Sequence, residues 1–323
     1  MTRRIVLAGA SVFIGQYLES AFRAEGAHVS VIGRRGPDAA WGDAAGILRL
    51  IDGADLLVNL AGRSVNCRYN EANRAEILRS RIDTTRALGD AVAAAANPPA
   101  LWVNSATATI YRHADDRPMT ESTGELGEGF SVGIAKAWER EFFDRDLANT
   151  RRVALRMAIV LGDGSALTPL VRLARFGLGG AQWDGRWPST RARREAGTYH
   201  AFRTTWGRQR FSWIHIADVL GIIQFLGAHP ELDGAINASA PNPSDSVGLM
   251  RTIRKVIGMP VGLPSPRWLL ELGSALIHTE TELVLKSRWV LPERLLAAGY
   301  EFRFPELDSA IRDIVDQPLG HVS

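Results

Sequence analysis

Gly9 and Gly15 bracket GASVFIG, directly after the apolar run Ile5–Ala8 and before a helical pattern from Gln16 to Ala24. Strand, tight glycine turn and helix, in that order, present backbone N–H groups and a helix N-terminus to a dinucleotide pyrophosphate. Gly9 serves the bend and Gly15 the close packing of helix on strand, with Ser11, Phe13 and Ile14 filling the turn. The middle glycine of the G-x-x-G-x-x-G form is replaced by Val12, whose stiff branched side chain opposes a close approach of phosphate to backbone. The turn predicts a pyrophosphate site that is either slightly displaced or weakened.

A second cluster follows the apolar stretch His28–Ile32. Gly33-Arg34-Arg35 offers two guanidiniums where an acid would receive the ribose hydroxyls of NAD(H). The residues therefore favour the 2′-phosphate of NADP(H), with NAD(H) as the alternative. Cys67 is the single cysteine and has no base specified near it in sequence, so it reads as an inert thiol. One cysteine excludes an internal disulfide and suits a reducing cytoplasm. The seven histidines show no metal-ligand spacing, so no metal is expected, and there is no G-x-S-x-G elbow.

These residues need elements to hold them. Strand candidates at 4–8, 28–32, 55–60, 101–105 and 152–158 alternate with helical patterns at 13–25, 71–95 and 131–149. Continuous apolar strands between helices predict an α/β fold with a parallel sheet covered on both faces. After Gly162 the rhythm changes: strand-like 211–216, a helix over 217–228, a strand over 234–239, helices over 244–258 and 266–278, and a final helix after Pro305. The expected organisation is a Rossmann-type doubly wound sheet over 1–162 and a smaller C-terminal α/β lobe over 163–323, with 211–239 returning to the sheet.

The chain has 323 residues, 46% hydrophobic and 23% charged, with a net charge of +3. That is ordinary for a globular protein and gives no general polyanion surface, so no nucleic-acid partner is expected. No stretch approaches the roughly 20 apolar residues of a membrane span. Lys occurs only at 136, 255 and 286; the rest of the 38 basic residues are Arg. Seven arginines fall within 181–211, against Asp184 and Glu195.

Several stretches in register resemble an extended short-chain dehydrogenase/reductase of the NAD-dependent epimerase/dehydratase superfamily, in its epimerase-like branch with a special C-terminal domain. They are GASVFIG at 9–15, VNLAGRSVNCRY at 58–69, RSRIDTTRAL at 79–88, SATATIY at 105–111, AWERE at 137–141, ALRMAIVLG at 154–162, FSWIHIADV at 211–219, NASAPNP at 237–243 and RWVLPERLLAAGYEFRFPEL at 288–307. The resemblance implies that Asn59-Leu60-Ala61-Gly62 lies beside the cofactor. It gives Thr107 the place of the hydroxyl that holds a substrate oxygen, and Tyr111 the place of the tyrosine in a V-Y-G turn. The Tyr-x-x-x-Lys pair of working members is absent: anchored on Trp138-Glu139, Ser131 takes the Tyr place and Ala135 the Lys place. Lys136 is one residue off, about 100° around a helix. Tyr111, Tyr69, Lys136 and His215 are the substitutes the sequence offers for the missing acid. A structural role is the expectation for His215.

Relative to the family plan, about twenty extra residues lie within 181–207, rich in Arg and aromatic side chains. They predict a lid or wall of the substrate site, or a subunit contact in a homodimer, rather than core. The sequence therefore predicts an enzyme binding NADP(H) and acting on a small molecule by oxidoreductase- or epimerase-like chemistry with an atypical active site. The alternatives are a non-redox isomerase, cyclase or lyase on the same fold, and a non-catalytic nucleotide sensor.

Overall fold

Ile5 and Leu7 of the first strand pack on one face of a sheet, while Val6 and Ala8 pack on the other. This period-two alternation on two buried faces is why the strand reads as a continuous apolar run. A computed structural model describes the chain except residues 1, 12, 186, 198, 200, 201, 203, 277–281 and 317–323. The Val12 expectation thus lies outside the described residues, as do positions 277 and 278 of the helix expected over 266–278.

The first half runs β1 (Arg4–Ala8), α1 (Phe13–Ala24), β2 (His28–Gly33), β3 (Ala39–Ala40), α2 (Ala44–Ile51), β4 (Leu56–Asn59), α3 (Glu71–Ala94), β5 (Leu101–Thr107), α4 (Phe130–Phe143) and β6 (Arg151–Met157). The second half runs β7 (Ile159–Leu161), α5 (Leu167–Arg175), α6 (Arg191–Glu195), β8 (Arg210–Phe211), β9 (Trp213–His215), α7 (Ile216–Ala228), β10 (Gly234–Ala238), β11 (Ser244–Asp245), α8 (Ser246–Val256), α9 (Arg267–Leu276), α10 (Glu282–Leu285), α11 (Glu293–Ala297) and α12 (Leu307–Asp316). Seven parallel strands form one sheet in the order β10-β6-β5-β4-β1-β2-β3. The order reverses between β1 and β4, and in such sheets ligands bind outside the carboxyl ends of the strands at that point.

Two differences from the sequence reading stand out, one in the second half and one in α4. Of the segment 211–239, β10 joins the large sheet beside β6, but β9 pairs with β7 and β8 with β11 in separate two-stranded sheets. Helix α4 ends at Phe143, short of the 149 expected. The C-terminal lobe has its own core, in which Leu161, Leu167 and Trp213 meet Met250, Ile253 and Ile311 from α8 and α12. No described helix is long and apolar enough to cross a membrane.

Candidate active site

The turn after β1 is set by two close approaches. Gly9 has φ +83°, and a Cβ there would lie 2.6 Å from Ala61 Cα, in the turn after β4. A Cβ on Gly15 would lie 2.3 Å from Ala10 Cα. Both positions exclude larger residues, so α1 starts hard against the strand end. The Gly9 N–H donates to Ile32 O at 2.8 Å, whereas first-turn N–H groups of a helix lack intrahelical partners and can serve an anion. Ser11 is exposed, Ile14 packs on the sheet core, and the Phe13 ring lies against Gly162. Phe13 and Ile14 therefore have only backbone to offer a phosphate.

Asn59 is fully buried at the end of β4. Its Oδ1 accepts from Ala61 N at 3.0 Å, and its Nδ2 donates to Asn104 Oδ1 at 2.7 Å and to Thr85 Oγ1 at 3.3 Å. Trp138 Nε1 donates to the same Thr85 hydroxyl at 3.0 Å. This polar chain ties β4, α3, β5 and α4 together and fixes Leu60-Ala61-Gly62 against Gly9. Arg81 reinforces it, donating to Arg63 O at 3.0 Å, and burial pushes its guanidinium pKa down to about 10. Beyond β2, Arg34 and Arg35 are exposed. The glycine cradle, the held β4 turn and this arginine pair are the residues that would hold a dinucleotide, which would supply hydride chemistry when bound.

At the β5 end, Thr107 Oγ1 accepts from Thr109 N at 3.1 Å, which leaves its own hydroxyl proton free to donate. Tyr111 has a different task from the one its motif suggests. It is 2% exposed, donates to Asn237 Oδ1 at 2.9 Å and accepts from Arg156 at 2.8 Å. Arg156 in turn makes a bidentate pair with Glu139 at 2.8 and 2.7 Å. The phenol is thus spent inside a buried network, and desolvation raises its pKa. That geometry removes Tyr111 as a stand-in acid.

The structure places the other candidate side chains as follows. Lys136 Nζ donates to Gly127 O at 2.8 Å. His215 is 3% exposed, accepts from Ala217 N at 3.2 Å as the cap of α7, and is pushed down to about 4 by burial. Tyr69 packs edge-on against Phe130 at 4.8 Å. Cys67 is half-buried.

The C-terminal lobe instead delivers side chains that the sequence reading missed. Ser131, in the first turn of α4, donates to Glu282 Oε2 at 2.8 Å. Lys286 Nζ donates to Thr109 O at 2.8 Å, and Arg288 Nε to Thr109 Oγ1 at 3.3 Å. All three partners are buried: Glu282 is 3%, Lys286 5% and Arg288 7% exposed. Burial, aided by the charge of Arg288 and opposed by Glu282, lowers the Lys286 pKa to about 8. The one signal available in sequence was the rarity of lysine in an arginine-rich chain.

The Arg/Trp-rich insertion is anchored at both ends. Gln182 is 7% exposed and bonds Ser246 and Gln209, and the fully buried Asp184 carboxylate pairs with Arg267 at 2.7 Å. Further on, Gly197 O accepts from Phe130 N at 3.2 Å and Phe202 stacks on His113 at 4.6 Å. The insertion therefore bridges the lobe and the sheet domain beside Ser131, and it begins on the buried Gln182 and an enclosed ion pair, where a lid or wall outside the core was expected. Among the described residues no cluster of His, Cys, Asp and Glu could hold a metal ion.

Residues 5–162 match the sequence pattern of the NAD dependent epimerase/dehydratase family, and residues 265–314 match a domain of unknown function, DUF1731. The epimerase family protein SDR39U1 of Bos taurus is 30% identical over 97% of this chain and 99% of its own length. Epimerase family protein YfhF of Bacillus subtilis is 26% identical over 96% of this chain and 97% of its own. The crystal structure of human SDR39U1 with NADPH superposes with a TM-score of 0.83 at 28% identity, covering 98% of this chain and all of that one. These likenesses run over almost the whole chain: it belongs to the NAD-dependent epimerase/dehydratase family and carries a DUF1731 domain at 265–314.

Proposed function

We propose that this protein is an NADP(H)-dependent enzyme that acts on a small molecule in the crevice between the sheet's carboxyl edge and the C-terminal lobe, using an acid other than tyrosine. The observation that carries the reading is the exposed Arg34-Arg35 pair beyond β2, with no acid at the strand end. The human relative crystallised with NADPH supports the same choice. When bound, the cofactor supplies hydride chemistry. The chain's own part is to cradle the pyrophosphate on the Gly9–Gly15 turn, hold the β4 turn open through Asn59, and offer the Thr107 hydroxyl to a substrate oxygen.

Ser131 and Ala135 in the Tyr and Lys places favour a second reading, in which the crevice serves a non-redox isomerisation or elimination. Titrating NADPH and NADH by quenching of tryptophan fluorescence tests the first reading. NADPH is expected to bind more tightly, and Arg34→Ala with Arg35→Ala to weaken NADPH by roughly 10–100-fold while sparing NADH. Equal affinities in the wild type would remove the role given to the arginines.

A further inference from the structure

Two of the three lysines have partners elsewhere: Lys255 pairs with Asp308 at 3.0 Å, and Lys136 is turned to Gly127 O. Lys286 alone is buried against the β5 end, bonded to Thr109, whose own N–H is held by Thr107. Its backbone N donates to Glu282 O at 3.1 Å, one helical turn back, and Glu282 reaches Ser131. The segment is fixed in place. Ser287 N donates to His113 Nδ1 at 3.0 Å, Ser287 Oγ to Ala114 O at 2.8 Å, and Arg288 N to Arg210 O at 2.9 Å. Thr107, Thr109, Lys286, Glu282 and Ser131 thus form one run of contacts from the substrate-oxygen position to the vacated tyrosine position.

An arginine would make the same bond to Thr109 O and keep its charge at every relevant pH, whereas a buried lysine gives up and regains a proton near neutrality. We propose that Lys286 is the catalytic acid–base of this site, standing in for the absent Tyr-Lys pair, and that the substrate is a carbonyl compound or its secondary alcohol whose oxygen lies between the Lys286 ammonium and the Thr107 hydroxyl. Glu282, held by Ser131, and Arg288 are positioning residues that set the charge around the amine. As the carbonyl carbon accepts hydride from a reduced nicotinamide, the Lys286 N–H bond breaks and its proton forms the new O–H bond. The neutral amine then takes a proton from water. The reverse direction runs the same transfers backwards.

The inference rests on the NADP(H) reading above, and the test separates the two. Oxidised nicotinamide carries a positive charge that the reduced ring lacks, so an ammonium beside the ring disfavours NADP⁺ relative to NADPH. Both are titrated by tryptophan quenching between pH 6.5 and 9.5 as probes; titration of the common 2′-phosphate cancels in the ratio. The ratio of the NADP⁺ to the NADPH dissociation constant should rise roughly tenfold as pH falls through the Lys286 midpoint. In Lys286→Met it should be low and flat with pH, and in Lys286→Arg high and flat. Glu282→Gln should move the step to lower pH, because a negative charge that holds the proton is gone. A wild-type ratio independent of pH, or a step that persists in Lys286→Met and Lys286→Arg, overturns the proposal and leaves the cofactor reading standing. Quenching by neither nucleotide overturns both.

Discussion

Tyr111 shows how a residue can match a motif and still serve another end. Its hydroxyl links Asn237 and Arg156, so it joins β10 to β6 from the turn after β5. Tyr111→Phe should leave the Asn237 acceptor short of a donor and cost about 1–2 kcal/mol. Thermal unfolding checks this: a lower melting temperature with unchanged NADPH affinity is expected, and an unchanged melting temperature with lost affinity would contradict the structural role. His215 makes a pH-dependent contribution. Its folded pKa lies below the value of 6.5 for a free imidazole, pushed down to about 4 by burial. The unfolded chain therefore binds the extra proton between those values, and stability falls as pH drops through 6.5 toward 4. At pH 5 the loss is roughly 2 kcal/mol. His215→Asn should show a correspondingly shallower decline of melting temperature from pH 7 to pH 5.

Among the elements, the insertion changes meaning most between sequence and structure. Its composition suggests a surface feature, yet Asp184 and Arg267 form an ion pair that is almost fully enclosed, with Glu271 on the other side of the guanidinium at 2.6 Å. Breaking a buried pair by removing one partner costs about 3–5 kcal/mol. Excising 181–206 and joining Gly180 to Gly207 should therefore lower the melting temperature sharply or prevent folding, and Asp184→Ala should reproduce much of the loss. Retention of wild-type thermal stability by the excised protein would restore the expectation of a lid or wall outside the core. By contrast, α6 within the insertion buries none of its residues.

Across the whole molecule, α9 stands inside out. It buries Arg267, Glu271 and Ser274 and exposes Trp268, Leu269 and Leu272, which are 54%, 41% and 58% accessible. The inward face is polar because it meets Asp184 and the insertion rather than an apolar core. Trp268→Gln with Leu272→Gln should shift the melting temperature by no more than about 2 °C, since exposed substitutions usually stay within about 0.5 kcal/mol. Arg267→Met should lower it well beyond that. A large loss from the outward pair would show that this face is covered in solution.

Local chemistry alone determined the alternating strands and helices of the sheet domain, the glycine turn and the arginines after β2. Each of these depends on residues within one strand–turn–helix unit, where periodicity and glycine sterics act over a few positions. The helix α2 and the short strands β3, β7 and β11 escaped because their patterns are too brief to register. Which side chains meet Ser131 and Thr109 was decided by tertiary structure. Glu282 is 151 residues from Ser131, and Lys286 is 177 from Thr109. Only the docking of the C-terminal lobe on the sheet's carboxyl edge brings them together. The same burial that sets the Lys286 pKa arises from that docking, so no spacing within the chain could announce it.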